Sequence, residues 1–479
     1  MLTFCELTSF LSSADFAPFL GWAASAAVLP LAASVVASGE DEAEVDEQGL
    51  RTKIDELEKL RARTLEQQEE LAESYVMLAL GLYDTDGDLH EIFDLYSKAE
   101  GVLRQTLAQG EDEEIRRRLG TVDLHRAMTF NAFNKMDEAL NCYTAAIETL
   151  TPLDSKGDGE AKYDIAGMKF NRGEILYELG DLEKANKDFD EAFLAFRAVE
   201  KISTDMDTRL YLAKISVAQG CLYRDMSLPL DKVVDAYNRA MRLYVELIDI
   251  GQMEHERELA NVLLDRCTAI YEAMVNQEFE SEEAQKAQLD DILLNVGRGI
   301  EILQRIADGS GDFEAQYDLF NGFALQGSML IELEQFSSAL EVFDRIIRDF
   351  ADFSTDTDPT VVDHFGAARD KRGFALINLG RSEEALAEFN RAIACREQIQ
   401  SDNFDLDDDE RKIFVPTLAS SYVNRATAYA ALKKIDEAKA DCQKGISLLQ
   451  PLKTEDCEDI ETIEEFESMF KILLESWAD

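Results

Sequence analysis

Proline is scarce in this sequence, with 7 among 479 residues, so little interrupts a helix. Histidine is scarcer: His90, His125, His255 and His364 are the whole supply, and none sits at a zinc-ligand spacing such as HExxH. The 7 cysteines (Cys5, Cys142, Cys221, Cys267, Cys395, Cys442 and Cys457) are odd in number and scattered, with no Cys-x-x-Cys pair. That excludes a disulfide framework and points to small core residues in a reducing compartment. Positive charge is also short. Against 97 acids stand 48 lysines and arginines, a net −49, and such a surface repels phosphate backbones, so nucleic acid is excluded as a partner. The acid excess reads first as a solvated, solubilising face and, more sharply, as a recruiter of basic proteins.

Catalytic signatures are missing too. Gly309 to Gly311 fit neither phosphate-loop pattern, and no GxSxG or paired nucleophile and base occurs. The run DTDGDLHE at residues 84–91 has calcium-loop acids, but Leu89 stands where an EF-hand needs glycine, so a turn is expected. No cofactor or metal is implied. An enzyme with an unrecognised site remains only as the last alternative.

What is present begins with an uncharged run from Phe16 to Gly39, long enough to cross a bilayer. It follows a short tail, residues 1–15, that lacks lysine and arginine, unlike a secretory signal. The expectation is a membrane anchor over residues 16–38, with a packed or interfacial helix and a cleaved signal as alternatives. The first basic residues, Arg51, Lys53, Lys59, Arg61 and Arg63, lie on its C-terminal side, which places the rest of the chain in the cytoplasm. The alternative localisation is cytoplasmic and soluble. Residues 39–77 read as an acidic spacer and a connecting helix that opens near Gln48, with Ile54, Leu57, Leu60, Leu71, Tyr75 and Leu78 on its apolar face. A short coiled coil is the alternative there.

The dominant signal is an internal repeat. A small residue is followed three places on by a large apolar one; an alanine comes twelve after the small residue, an aromatic sixteen after it and a second small residue nineteen after it. Ala127, Phe130, Ala139, Tyr143 and Ala146 fit, as do Gly173, Leu176, Ala185, Phe189 and Ala192, and Gly373, Leu376, Ala385, Phe389 and Ala392. Gly327, Leu330, Ala339 and Phe343 fit with Ile346 departing, and Ala426, Tyr429, Ala438, Cys442 and Gly445 fit with Cys442 in the aromatic place. Weaker units surround Tyr96 and Tyr237, and the gap of 106 residues from Val233 to Ala339 leaves room for one hairpin without the signature. Small residues allow two antiparallel helices to approach closely, and the aromatic fills the space beside them.

This pattern resembles the tetratricopeptide repeat, with units 46 to 53 residues apart rather than the usual 34 or so. The resemblance implies an all-α, right-handed α-solenoid of about eight antiparallel hairpins over residues 78–455, preceded by an N-terminal apolar helix. The stripe Ile460, Ile463, Phe466, Phe470, Leu473 and Trp477 reads as a capping helix within residues 456–479. The resemblance further implies a protein–protein interaction scaffold that holds a peptide or helix of a protein partner in a concave groove, and the uncharged run at residues 16–38 adds the expectation that it is membrane-tethered. A soluble regulatory peptide receptor is the alternative. The groove candidates are Phe170, Asn171, Glu174, Asp370, Phe374, Val423, Asn424 and Thr427. They lack the lysines of the chaperone-tail clamp known in some relatives, so a basic or apolar segment is the expected partner. Arg172, Arg372 and Arg425, like Arg126, each precede the small residue of a first helix. Asp188, Glu388 and Asp441 lie opposite the first three, so structural ion pairs within hairpins are expected, with a ladder of carboxylate-binding arginines as the alternative.

Overall fold

Aspartate starts many of the helices. The side chains of Asp46, Asp88, Asp112, Asp158, Asp181, Asp312 and Asp358 each accept a backbone N–H in the first helical turn. Each such cap is worth about 1 kcal/mol, so part of the acid excess has a structural use. The computed structural model describes residues 46–452, apart from residues 86, 111, 202–205, 276–281, 402–403, 405 and 407–411. All the regular structure among the described residues is helical, and it divides into two compact units, residues 46–255 and 256–452.

In residues 46–255, α1 (Glu47–Glu58) packs on α2 (Leu65–Asp84), which pairs with α3 (Leu89–Leu107). Then α4 (Glu113–Ala132) pairs with α5 (Met136–Asp154), α6 (Gly159–Glu178) with α7 (Leu182–Glu200), and α8 (Met206–Asp225) with α9 (Leu230–Asp249). In residues 256–452, α10 (Glu256–Val275) pairs with α11 (Glu282–Ser310), and α12 (Phe313–Glu332) with α13 (Phe336–Asp349). The last pairs are α14 (Pro359–Asn378) with α15 (Ser382–Ile399) and α16 (Val415–Ala431) with α17 (Ile435–Leu449). Among the described residues the chain is thus all-α, with four hairpins stacked as a solenoid in each unit.

The repeat residues occupy the hairpin crossings. Ala139, Ala185, Ala339, Ala385 and Ala438 are fully buried, as are Tyr143, Phe189 and Phe343. A Cβ placed on Gly173, Gly220, Gly327 or Gly373 would lie 2.5–2.7 Å from the ring of Phe189, Tyr237, Phe343 or Phe389 respectively. The glycine is therefore required by the aromatic ring pressed on it, and the spacing of sixteen or seventeen records that contact. The α10–α11 hairpin lacks the signature because the contact is reversed: Gly299 on the second helix faces Leu264 on the first, at 3.0 Å from a virtual Cβ.

Six hairpins turn in the same way. The first helix ends with a residue at positive φ (Asn134, Gly180, Ser227, Glu334, Gly380 or Lys433), and the next N–H returns to a carbonyl five residues back, as in Lys135 to Phe130 and Gln335 to Leu330. Glu334 and Lys433 bear a Cβ in this left-handed region, which disfavours L-residues. Glu334→Gly and Lys433→Gly are each expected to stabilise the fold by up to about 1 kcal/mol, while Gly180→Ala and Gly380→Ala lose a similar amount, all readable from urea midpoints.

Two expectations need correction. The helix opening near Gln48 is not one connecting helix. It breaks after Glu58, Arg63 closes the break by donating to the Leu57 carbonyl at 2.8 Å, and Thr64 with Gln67 forms a capping box that starts α2. Ile54 and Leu57 therefore face Leu71, Tyr75 and Leu78 instead of extending their stripe, and the Tyr75 hydroxyl donates to Glu58. The membrane-anchored localisation is also corrected. Among the described residues no helix is long and apolar enough to cross a membrane. The segment 16–38, on which that expectation rested, lies outside the described residues, as do residues 1–15 and the cap expected within 456–479.

Candidate binding face

Within each unit the two rows of helices pack differently. First helices touch one another: α2 with α4 and α6 with α8 in one unit, and α10 with α12, α12 with α14 and α14 with α16 in the other. Each second helix instead packs between its own partner and the first helix that follows it within its unit. The row whose members approach most closely forms the inner side of a curved stack, so the first helices present the candidate binding face.

The arginines expected in ion pairs are held at the crossings. Arg172 donates through Nε and Nη2 to both oxygens of Asp188 at 2.7 and 2.8 Å, and through Nη1 to Thr144 of the preceding hairpin at 3.1 Å. Arg425 grips both oxygens of Asp441 at 2.7 Å and reaches Asn390 of the preceding hairpin at 2.8 Å. Arg372 lies 3.1 Å from Glu388 and donates to Asp344 of the preceding hairpin at 2.7 Å. Arg126 pairs with Glu100 at 2.8 Å. These guanidinium groups fasten one hairpin to its neighbour.

The groove candidates divide. Phe170, Asp370 and Val423 are buried, as are Asn171 and Asn424 but for a few per cent of their surface. Phe374 packs against the core beside Phe336, and the Thr427 hydroxyl donates to the Asn424 carbonyl. Glu174 is different: it stays partly accessible, yet desolvation by surrounding helices pushes its carboxyl up to about 8, against a smaller opposing pull from Lys214 on α8. Asp164, lower on the same helix, is raised to about 6 by desolvation and Glu160. Asp123 on α4 is raised to about 6 by desolvation and Glu100, while burial lowers His125 to about 4.

These shifts fix a pH dependence. Glu174, Asp164 and Asp123 hold protons more tightly in the folded chain than when unfolded, so their contribution to stability falls as pH rises from about 4.5 to 8. His125 acts oppositely, favouring the fold as pH rises from about 4 to 6.5. The thermal midpoint of the chain is therefore expected to be higher near pH 6 than at pH 8. A calorimetric midpoint that climbs across that interval overturns the assignment.

Sequence reasoning missed a buried network in residues 256–452. Arg396 on α15 donates through Nε to Asp363 at 2.8 Å and through Nη1 to Asp370, both on α14, and to Ser421 on α16. Thr417 of α16 donates to the same Asp363 oxygen at 2.7 Å. A signal was available. Arg396 stands where other hairpins place Leu150, Phe196, Tyr244, Phe350 and Leu449, all buried, and a charge in a core register requires buried partners. The Tyr317 hydroxyl meets His364 Nδ1 at 2.6 Å on the first helices of this unit. A hollow of about 620 Å³ lies on the second helices α11 and α13, beside Arg305 and Arg345, away from these groups. It has open walls, and its arginines are paired with Glu256 and Asp349. Among the described residues no cluster of three histidine, cysteine or carboxylate side chains could hold a metal ion.

The tetratricopeptide repeat profile matches residues 419–448, the span of the α16–α17 hairpin and its turn. The α16–α17 hairpin is thus similar to a tetratricopeptide repeat, and its spacing of twelve from small residue to alanine recurs in four other hairpins. Solved structures resemble the chain at low identity. The apo form of RapI is 15% identical, over 75% of this chain and 82% of its own, with a TM-score of 0.50. BtubC from P. vanneervenii is 18% identical, over 56% of this chain and 94% of its own, with a TM-score of 0.42. The apo form of the quorum sensor NprR from B. thuringiensis is 12% identical, over 84% and 99%, with a TM-score of 0.38. Such identities speak to the fold alone. No curated protein matches the chain.

Proposed function

We propose that this chain is a non-enzymatic receptor that holds a peptide or helix of a protein partner on the inner face of its first helices. The observation that carries the reading is the lining left over once the hairpins have closed. On α4, α6 and α8, Met128, Glu174, Tyr177, Lys214 and Val217 remain partly accessible, while the apolar side chains used for stacking are buried. Such a face combines apolar contact with a few fixed polar groups, which suits a segment of another protein. The tetratricopeptide register supports it, since stacked hairpins of this kind create extended surfaces for partners. Selection of random displayed peptides on the full chain tests the reading. The expected outcome is an enriched consensus whose binding falls at least tenfold on Val217→Asp, with the helical content unchanged. No enrichment, or binding indifferent to that substitution, overturns it.

A further inference from the structure

Two hairpins that share the glycine–phenylalanine crossing differ at one charged position. In α6–α7, Arg172 grips Asp188 and Lys169 meets Glu191 at 2.6 Å, so two cations face two carboxylates. The corresponding side chains of α14–α15 stand 200 places further on: Arg369, Arg372, Glu388 and Arg391. An arginine therefore replaces the second acid. Arg369 donates to one oxygen of Glu388 at 2.9 Å, while Arg372, at 3.1 Å, and Arg391 share the other. Arg372 also has Asp344 of α13 at 2.7 Å. Arg369 and Arg391 are left with one carboxylate between them, and Glu388 is only 2% exposed, so water does little to relieve the crowding of positive charge.

A second observation is the donor edge left over. Arg172 and Arg425 use Nε and Nη2 together to grip both oxygens of a carboxylate. Arg391 meets Glu388 through Nη1 alone, so the same Nε–Nη2 edge is unused, and its side chain is 60% exposed. Deeper in the crossing, Arg369 is held by the Phe365 ring, 4.8 Å from the guanidinium, with the Cys395 thiol alongside, and its Nε is shielded from water without an oxygen acceptor. A guanidinium edge open to solvent beside a second, fixed guanidinium is preorganised for a planar oxyanion.

We propose that Arg391, backed by Arg369, is a docking point for an aspartate or glutamate side chain of a partner protein, on the second helix α15 and apart from the face of the first helices. The incoming carboxylate takes the part that Glu191 plays in α6–α7, with its two oxygens against Nε and Nη2 of Arg391. It also completes the charge balance of the crossing, because three guanidinium groups then face three carboxylates. The net charge of −49 repels strongly acidic chains, so the docked segment carries one or two such residues among neutral or basic ones. This docking is independent of what the first helices bind.

The test is saturation-transfer NMR on the full chain with three small probes built on one ring: benzoate, phenyl phosphate and the uncharged benzamide. Benzoate is expected to receive about fivefold more saturation than benzamide, since only the anion gains charge-assisted hydrogen bonds. Arg391→Glu reproduces the α6–α7 arrangement, so it should keep a thermal midpoint at least as high as that of the unsubstituted chain while reducing the benzoate signal to the benzamide level. Arg391→Gln removes the charge without adding an acid and should lose the benzoate signal as well, which excludes simple repulsion by the new glutamate. A benzoate signal that persists in both variants, or that benzamide matches in the unsubstituted chain, overturns the proposal. Phenyl phosphate saturated well above benzoate assigns the site to a phosphate group and overturns the carboxylate assignment.

Discussion

Replacing Arg396 by leucine is expected to lower stability by about 3–5 kcal/mol, because it leaves Asp363 and Asp370 buried without their cation. The loss comes from the stranded carboxylates more than from the ion pairs themselves. Asp363 and Asp370 are each 3% exposed or less, so water cannot take the place of the guanidinium. A second variant separates the two explanations. Arg396→Leu combined with Asp363→Leu and Asp370→Val replaces the whole buried ionic cluster by apolar side chains, and should recover most of the loss. Asp370 in particular stands where the α4–α5, α6–α7 and α16–α17 hairpins have Leu124, Phe170 and Val423. Urea unfolding of residues 256–452 within the full chain reads both variants. A single substitution that costs less than about 1 kcal/mol shows that the carboxylates are protonated or solvated, and the buried ionic pin is then withdrawn.

The second large effect is expected at the α14–α15 crossing. Phe389 is nearly fully buried, and Phe389→Ala should cost about 3–5 kcal/mol through the cavity it leaves. Gly373→Ala should cost about 1–3 kcal/mol, since the new methyl would stand 2.5 Å from the Phe389 ring. The informative quantity is their coupling. In the double variant the methyl enters the space that the ring vacates, so the combined loss should fall short of the sum by about 1 kcal/mol or more. Strict additivity would mean that glycine and ring do not meet, and that the spacing of sixteen has some other origin.

That spacing explains why the hairpins were legible in the sequence. A ring pressed onto a glycine leaves no room there for a side chain, so Gly173 with Phe189, Gly327 with Phe343 and Gly373 with Phe389 recur at a fixed distance along the chain. The α10–α11 hairpin was seen only as a gap, because Leu264 and Gly299 exchange the roles of first and second helix. The break between α1 and α2 was written in the Thr64–Gln67 capping box, but the apolar periodicity continued across it and masked the stop. The binding face was the least legible part. Phe170, Glu174 and Val423 all lie at repeat positions that look equivalent, yet two of them close against neighbouring hairpins and one stays open. Periodicity assigns a residue to a side of its helix, whereas exposure depends on the helix packed next to it. Arg396 was missed for a related reason: the pattern was followed through the small and aromatic positions, and the charge lay one turn further on.

The packing of helices only on those one or two places along the chain also governs how each unit comes apart. No contact of this kind asks distant parts of the sequence to meet, so a hairpin closes after a short search and adds to whatever is already ordered. Each unit then behaves as a row of linked elements whose populations depend on their immediate neighbours. Loss of order then spreads from one hairpin to the next instead of striking the whole unit at once. Under a stretching force the extension of such a row should lengthen in hairpin-sized increments.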